Sequence, residues 1–255
     1  MKNIKILHIS SAISWRGGEQ QIVNLVEGLE KVNKEVGQIV YCAKNSALES
    51  YLNENSIPFS SGEKRSGLSF SFIKSLYLII KSYRPSLIHI HDSHAHTACI
   101  IAHRLSNCKI PIILHRRVDF SIGQSFFSRY KYNYPYIKRI ITVSKAIKEI
   151  ISPVTKSKIE VIYSSWRKSS IEKVEEINLR KELGVNQSTK LVGNIAALTD
   201  HKDYPTFIKT ASSIIAQHNN IHFIIAGEGE LRESLQKKIN DLGLKEKIHL
   251  LGFRK

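Results

Sequence analysis

Two stretches of this 255-residue chain follow one pattern: a short apolar strand, a loop that contains glycine, and an amphipathic helix. The first stretch has a strand at 4–10 and a glycine turn at Gly17 and Gly18. The second begins with a strand at 190–196 and repeats the order. Such a loop brings backbone N–H groups and the positive end of a helix to one point, where a phosphate group can bind. The chain is therefore expected to contain two phosphate-binding α/β sheets.

Regular alternation of strands and helices predicts the architecture of the first 165 residues. Strands are expected at 4–10, 36–43, 87–91, 110–115, 139–143 and 159–163, and helices at 18–32, 46–55, 69–83, 94–106 and 144–151. Short, β-branched strands separated by helices indicate a parallel sheet that is covered on both faces. Right-handed crossovers then place the carboxyl ends of all strands, and the loops that follow them, at one edge.

The second pattern is shorter. After a linker at 166–189, strands are expected at 190–196, 221–226 and 247–251, with helices at 204–217 and 230–242. A doubly wound nucleotide-binding sheet has about five or six strands. The sequence thus predicts an α/β protein with two Rossmann-like doubly wound domains, 1–165 and 190–255, of which the second is incomplete. A truncated gene and a second chain that completes this domain are both consistent with the pattern.

The net charge is +16, and most of it lies in the first 165 residues, where 23 Lys and Arg stand against 11 Asp and Glu. A basic surface attracts nucleic acids, anionic membranes or acidic substrates, and solvated lysine-rich faces are the plain alternative. The sequence contains no recognition-helix pattern or aromatic ribonucleoprotein motif, so no nucleic-acid partner is expected. Three scattered cysteines without a CxxC pair indicate a reducing, cytoplasmic environment.

Five segments occur in a fixed order along the chain: 14–21, 89–94, 115–120 with 142–144, 193–203, and 226–232 with 251–253. In order and spacing they resemble family 4 of the retaining glycosyltransferases, which have the glycosyltransferase-B fold. The resemblance implies transfer of a sugar, with retention, from a UDP- or GDP-linked donor to a cell-surface glycan or a lipid-linked acceptor. It places the acceptor on the first domain and the donor on the second, and it implies no further cofactor.

The resemblance also assigns residues that bind the donor. In the family, the loop at Gly17 and Gly18 lies against the donor diphosphate and the acceptor, and glycine lets a backbone approach a ligand closely. Lys202 stands where family members place a lysine that neutralises the leaving diphosphate. Asn194 is a further candidate, because the arginine that the family usually has does not occur between 191 and 203. An ordinary turn and a solvated lysine are the alternatives.

Arg117 and Asp119 follow the strand at 110–115 and so lie at the functional edge of the predicted sheet. Many family members place a histidine near this point that contacts the transferred sugar. Arg117 and Asp119 are therefore candidate catalytic residues that contact the sugar or the acceptor. A structural ion pair is the alternative for both.

A histidine-rich run covers the end of the strand at 87–91. Its members are His89, His91, Asp92, His94 and His96. His89 and His91 share one face of the strand, which raises the possibility of a zinc site. Because glycosyltransferase-B enzymes in general need no bound metal, no metal is expected here, and a structural or acceptor-facing role is favoured.

The segment 126–139 mixes aromatic and basic side chains, a composition that suits the boundary between membrane and water. Together with the basic first domain, it predicts peripheral docking on the anionic inner face of the cell membrane. The alternative is a helix that packs its tyrosines on the sheet.

After Gly252 and Phe253, the sequence lacks a part of the resembled family's pattern. In the family, the second sheet continues into a strand and loop with two glutamates that hold the ribose and the donor sugar. The turn at 163–166 also lacks the usual glycine and acidic residue. A hexosyltransferase of lipopolysaccharide or polysaccharide biosynthesis is therefore expected, with little or no activity of this chain alone. The rival hypothesis is a non-catalytic, basic, membrane-associated binding protein or a partner subunit of another transferase.

Overall fold

The computed structural model describes residues 4–65, 69–123, 125–166 and 178–254. These residues form two compact units, one on each side of the segment 167–177. Each unit is a parallel sheet packed with helices, which confirms the predicted α/β class. The predicted linker at 166–189 lies partly outside the described residues. Its last part contains a short helix, α7, at Leu179–Glu182.

The sheet of the first unit has seven parallel strands in the order β3-β2-β1-β4-β5-β6-β7. The strands are β1 Lys5–Ile9, β2 Gly37–Ala43, β3 Phe59–Gly62, β4 Leu87–Ile90, β5 Ile112–Arg116, β6 Ile137–Thr142 and β7 Ile159–Val161. The helices are α1 Gly17–Val32, α2 Ala47–Glu54, α3 Phe70–Tyr83, α4 Ser93–Ser106, α5 Phe126–Tyr132 and α6 Lys145–Ile151. This is the doubly wound order, in which the strand order reverses between β1 and β4.

Strand β3 does not appear among the predicted elements. Its four residues, Phe-Ser-Ser-Gly, have neither an apolar run nor a regular alternation. The strand forms because β2 offers it a free edge, with Val40 paired to Phe59 and Ala43 paired to Gly62. Gly62 is required at its end, since a Cβ there would overlap the Tyr41 hydroxyl group.

Two apolar clusters hold the helices of the first unit on its sheet. One joins α3 and α4 to the sheet through buried residues such as Leu76, Ile80 and Cys99. The other joins α1 and α2 to β2 through Ile22 and Leu52, among others. Side-chain oxygen atoms cap the amino ends of several helices. The capping residues are Ser46, Ser69, Asp92, Ser125 and Ser144.

The register between β1 and β4 decides which side chains meet beside α1. His8 on β1 lies opposite His89 on β4. Alternate residues of a strand share a face, so His91 and, on β5, His115 lie on that face as well. Polar rings thus occupy the middle of a sheet whose other side is the apolar core.

The second unit has three parallel strands in the order β10-β9-β8. Its elements after α7 are β8 Lys190–Ile195, α8 Tyr204–Ile215, β9 Ile221–Ala226, α9 Arg232–Asp241 and β10 Ile248–Gly252. Tyr204, Ile208, Ile225 and Ile239 are fully buried in its core. No helix in the described ranges of either unit is long and apolar enough to cross a membrane.

Candidate functional site

Asp92 connects the ends of two strands at the carboxyl edge of the first sheet. Its carboxylate accepts hydrogen bonds from the backbone N–H and the hydroxyl group of Ser11, both at 2.6 Å. It also caps α4, because it accepts from the N–H groups of His94 and Ala95. Lys64 donates to the Ser11 carbonyl oxygen at 2.6 Å. Ser11 is therefore fixed from three sides at the point where β1 ends.

Gly17 and Gly18 form the first turn of α1, a helix of 16 residues. A methyl group placed on either glycine would meet no atom within 4 Å, so the space beside this turn is open. Within the described ranges, no acceptor is hydrogen-bonded to the N–H group of either glycine. The carboxylate of Glu19 accepts from the N–H of Arg16 at 3.0 Å, and burial raises the pKa of Glu19. The turn thus offers free donors at the positive end of a helix.

The structure separates the two predicted catalytic residues. Arg117 is half-buried, and its guanidinium group donates to the His91 carbonyl oxygen at 3.2 Å. Asp119 is exposed, and its carboxylate contacts neither Arg117 nor any other described cation within 4 Å. Arg116, which precedes them, donates to the carbonyl oxygens of Val118 and Phe120 and thereby shapes the loop that carries Asp119. A structural ion pair between Arg117 and Asp119 is therefore absent from this part of the chain.

Four imidazole rings form a buried cluster next to the Arg117 guanidinium group. They belong to His8, His89, His91 and His115, and the centroids of neighbouring rings are 4.1–6.1 Å apart. Burial lowers the pKa of His8 to about 4 and that of His115 to about 3, and it also lowers the pKa values of His89 and His91. The positive charge of Arg117 lowers each pKa further. All four rings are therefore neutral at pH 7.

Arg117 keeps its own charge in this setting. Burial lowers the pKa of its guanidinium group to about 10, while the carboxylates of Glu19 and Asp92 act in the opposite direction. The Nε atom of Arg117 and the Nε2 atoms of His89 and His115 are buried and have no hydrogen-bond partner among the described residues. The cluster therefore combines one cation with several unpaired polar atoms.

A groove of about 420 Å³ runs beside α1 in the first unit. Its α1 wall is mostly apolar and contains Leu25, Leu29 and Val32. The opposite wall comes from β4, β5, β6 and the end of β7, with His89, His115, Arg117, Ile141 and Ile162. His89, His115 and Arg117 thus add polar and charged groups to a groove whose lining surface is mostly apolar.

Three of these histidines could be considered as metal ligands. One ring nitrogen from each of His8, His89 and His91 lies within 4.8 Å of the other two. However, the Arg117 guanidinium group lies 3.1 Å from Nδ1 of His91. A metal-bound imidazole normally donates its second N–H to an acceptor, and a guanidinium group can only donate. The donor set therefore does not fit a metal ion while Arg117 holds this position.

The histidine-rich run of the sequence does not form one cluster. Asp92 caps α4, and His94 is exposed in the first turn of that helix. His96 is buried elsewhere, with its ring edge-on to Tyr132 and Nε2 3.2 Å from the Lys131 carbonyl oxygen. His8 and His115 instead join His89 and His91 in the cluster, and neither was a predicted site residue. The signal for His8 is its position on β1, one residue before the strand ends at Ile9.

The basic aromatic segment 126–139 divides into buried and exposed parts. Tyr132 and Tyr134 are buried in the main core, as the packing alternative predicted. Phe126 and Phe127, at the start of α5, are 84% and 72% exposed. The tyrosines therefore support the fold, and the phenylalanines are the side chains available to another surface.

Close backbone packing forms the carboxyl edge of the second sheet. A Cβ on Gly227 would overlap the carbonyl oxygen of Ala196, and a Cβ on Gly229 would overlap that of Leu198. The Leu198 N–H donates to the Glu228 carbonyl oxygen at 3.0 Å. These glycines are needed because two loops, after β8 and after β9, touch each other through their main chains.

The two donor-binding candidates of the second unit both follow from β8. Asn194 is half-buried within the strand, and Lys202 is exposed at the end of a short 3₁₀ turn, Asp200–Lys202. Within the described ranges, neither side chain has a hydrogen-bond partner. The Lys202 ammonium group is therefore available to a ligand.

Two sequence families match the chain: Glycosyltransferase Family 4 over residues 15–165 and Glycosyl transferases group 1 over residues 175–255. The first match covers more than half of the chain. The chain belongs to glycosyltransferase family 4. An uncharacterized glycosyltransferase of Methanocaldococcus jannaschii is 26% identical over 205 residues, which are 73% of this family 4 chain and 50% of that protein. The chain thus spans half the length of that relative.

Solved structures share the fold of this family 4 chain. HepE of Anabaena, in complex with UDP and glucose, matches with a TM-score of 0.73 and 18% identity over 99% of this chain and 70% of HepE. The lipopolysaccharide outer core galactosyltransferase WaaB, in its apo form, matches with a TM-score of 0.64 and 17% identity over 99% of this chain and 69% of WaaB. These likenesses confirm the predicted glycosyltransferase-B fold.

Proposed function

We propose that this family 4 chain takes part in the transfer of a sugar, with retention, from a nucleotide-diphosphate donor to a lipid-linked or glycan acceptor. The observation that carries the proposal is the family match, which extends over residues of both units. HepE was solved with UDP and glucose, and this supports UDP-linked sugars as the first donors to test. A GDP-linked donor is the alternative.

Each unit offers positive potential at the carboxyl edge of its sheet. In the second unit, the exposed ammonium group of Lys202 would neutralise the diphosphate as the glycosidic bond breaks, and Asn194 would contribute a neutral polar contact. In the first unit, the free N–H groups of Gly17 and Gly18 suit an oxygen-rich ligand. Electrostatic stabilisation of the leaving group is then the main catalytic contribution.

Thermal unfolding with millimolar UDP, GDP and their sugar conjugates tests the donor site. Binding to the folded state raises the midpoint by mass action. We expect a rise with one nucleotide, a smaller rise in Lys202→Met, and an unchanged rise in the control Lys237→Met, which removes another exposed lysine of the second unit. The absence of a rise with every nucleotide would contradict the proposal. Turnover with the stabilising conjugate then measures how much activity the chain has alone.

The acceptor side of the proposal includes a membrane surface. Phe126 and Phe127 project from the first unit, and Arg129 follows them on the same helix. Exposed aromatic rings next to cationic groups favour the interface of an anionic bilayer. We therefore place the reaction at the cytoplasmic face of the cell membrane, in the synthesis of lipopolysaccharide or another surface polysaccharide.

Vesicle co-sedimentation tests the membrane part separately. We expect binding to vesicles that contain phosphatidylglycerol, and much weaker binding to pure phosphatidylcholine. The double variant Phe126→Ser, Phe127→Ser should reduce binding by about tenfold or more, because it removes two aromatic rings that would enter the bilayer interface. Phe70→Ser is the matched control, since Phe70 is 82% exposed on α3. Equal loss in the control, or no preference for the anionic lipid, would contradict membrane docking by α5.

A further inference from the structure

The hydrogen bonds of the imidazole cluster form a continuous chain from Arg117 to α1. Nη2 of Arg117 lies 3.1 Å from Nδ1 of His91, and Nε2 of His91 lies 3.1 Å from Nδ1 of His8. Nε2 of His8 lies 3.2 Å from the side-chain oxygen of Gln38, whose amide group donates to the Val26 carbonyl oxygen at 2.9 Å. Four side chains thus link the end of β5 to the middle of a helix.

The two ends of this chain determine the direction of every hydrogen bond in it. A guanidinium group can only donate, so Nδ1 of His91 must accept from Arg117. His91 then carries its proton on Nε2 and donates to His8. A carbonyl oxygen can only accept, so the Gln38 amide group donates to Val26 and its oxygen accepts from Nε2 of His8. The donor end and the acceptor end require the same arrangement, with both rings neutral.

The same guanidinium group also reaches His115. Nη2 of Arg117 lies 3.2 Å from Nδ1 of His115, which must therefore accept as well. The proton of His115 is then on Nε2, the atom that has no partner among the described residues. One arginine therefore specifies the tautomers of two rings that come from different strands, β5 and the end of β4.

We propose that Arg117 is a positioning residue that holds His91 and His115 as Nε2–H tautomers, so that the Nε2 atom of His115, buried beside the groove, is a hydrogen-bond donor. A ligand group that pairs with this buried N–H must accept a hydrogen bond, as a hydroxyl, carboxylate or phosphate oxygen does. The inference rests on the hydrogen bonds of the first unit and does not depend on the nucleotide-sugar reaction. It also assigns Arg117 an indirect role in place of direct contact with the sugar.

Long-range ¹H–¹⁵N NMR of the ¹⁵N-labelled chain tests the proposal, since it distinguishes the two tautomers of each imidazole ring. We expect Nε2–H tautomers for His8, His91 and His115 at pH 7. In Arg117→Met, His115 should become a tautomer mixture, whereas His91 should keep its Nε2–H tautomer because Gln38 still directs it through His8. In Gln38→Met, which cuts the other end of the chain, both rings should keep the wild-type tautomer, because Arg117 still directs them.

Three results would overturn the proposal. The first is an Nδ1–H tautomer at His91 or His115 in the wild-type chain, a measurement that requires no variant to fold. The second is a folded Arg117→Met chain in which the His115 tautomer is unchanged. The third is a zinc-dependent rise in the unfolding temperature of the wild-type chain that His89→Gln abolishes, since a metal site would require the opposite arrangement at His91.

Discussion

At the carboxyl edge of each sheet, neighbouring strands and loops are connected, but the kind of contact differs between the two units. In the first unit, side chains connect the strands: Asp92 bonds to Ser11, and Arg117 bonds to His91. In the second unit, main chains connect them, because the loop at Gly227 touches the loop that follows β8. The first edge depends on which groups carry protons and charge, whereas the second depends on the absence of a Cβ.

This difference can be measured because the two units can be observed separately. Both tryptophans, Trp15 and Trp166, belong to the first unit, so their fluorescence follows that unit during unfolding. Amide hydrogen exchange of the buried strand β9 follows the second unit. A fall in pH should mainly affect the fluorescence readout, and an added Cβ at Gly227 should mainly affect the exchange of β9.

A fall in pH is expected to have the largest effect, and to act on the first unit. Its buried imidazoles have lowered pKa values, of which that of His8 is about 4. As the pH falls below about 6.5, the unfolded chain takes up protons that the folded unit excludes, so the free energy of unfolding decreases until the folded pKa is reached. His8 alone accounts for about 3 kcal/mol between pH 6.5 and pH 4.

Urea unfolding followed by tryptophan fluorescence at pH 7.5 and pH 5.5 measures the part of this loss that occurs above pH 5.5. His222 and His249 in the second unit also have pKa values lowered by burial, but both are half-exposed and should contribute less. Exchange at β9 should therefore change less than the fluorescence midpoint. An equal loss in both units would show that the contrast between the two edges does not control stability.

Gly227→Val is expected to have the next largest effect, and to act on the second unit. A Cβ at this position overlaps the Ala196 carbonyl oxygen, and the backbone φ of +148° is strained for any other residue. The cost should be about 3 kcal/mol, seen as faster exchange at β9. Gly17→Ala is the control, because its Cβ meets no atom within 4 Å and should change stability by less than about 1 kcal/mol.

Much of the fold could be predicted because the strands are apolar runs and the helices have apolar faces. Strand β9, for example, begins and ends at the predicted residues, Ile221 and Ala226. Strand β3 could not be predicted, since Phe59–Gly62 has no pattern of its own and depends on pairing with β2. Local pattern therefore predicts elements that bury their own side chains, but misses an edge strand that exists by pairing alone.

The site was less predictable, because its geometry depends on which strands become neighbours. The sequence pattern predicted that Arg117 and Asp119 follow the strand β5. It did not predict that their side chains lie apart. His8 and His91 are far from Arg117 in sequence and come near it only through the strand order β1-β4-β5. Because alternate residues of a strand share a face, the histidine cluster could have been predicted if the order of neighbouring strands had been known.

Asp92→Ala is expected to cost about 2 kcal/mol in the first unit. The change removes a helix cap, worth about 1 kcal/mol, and leaves the Ser11 hydroxyl and N–H groups without their acceptor. Asp119→Ala is the matched control, because Asp119 is exposed and unpaired within the described ranges, and it should change stability by less than about 0.5 kcal/mol. The fluorescence-detected urea midpoint measures both. Similar midpoints for the two variants would contradict the role of Asp92 at this edge.

Glu228→Gln is expected to have the smallest effect, and it tests whether charge matters at the second edge. The Glu228 carboxylate pairs with Arg232 at 2.8 Å, but the side chains are 47% and 41% exposed. An exposed i, i+4 pair stabilises by about 0.5 kcal/mol or less, since water and salt screen it. Exchange at β9 should therefore change little, and the small difference from wild type should vanish in 1 M NaCl, where the screening length is about 3 Å. A loss above about 1 kcal/mol would mean that side-chain charge stabilises both edges, and that only the close approach at Gly227 distinguishes the second.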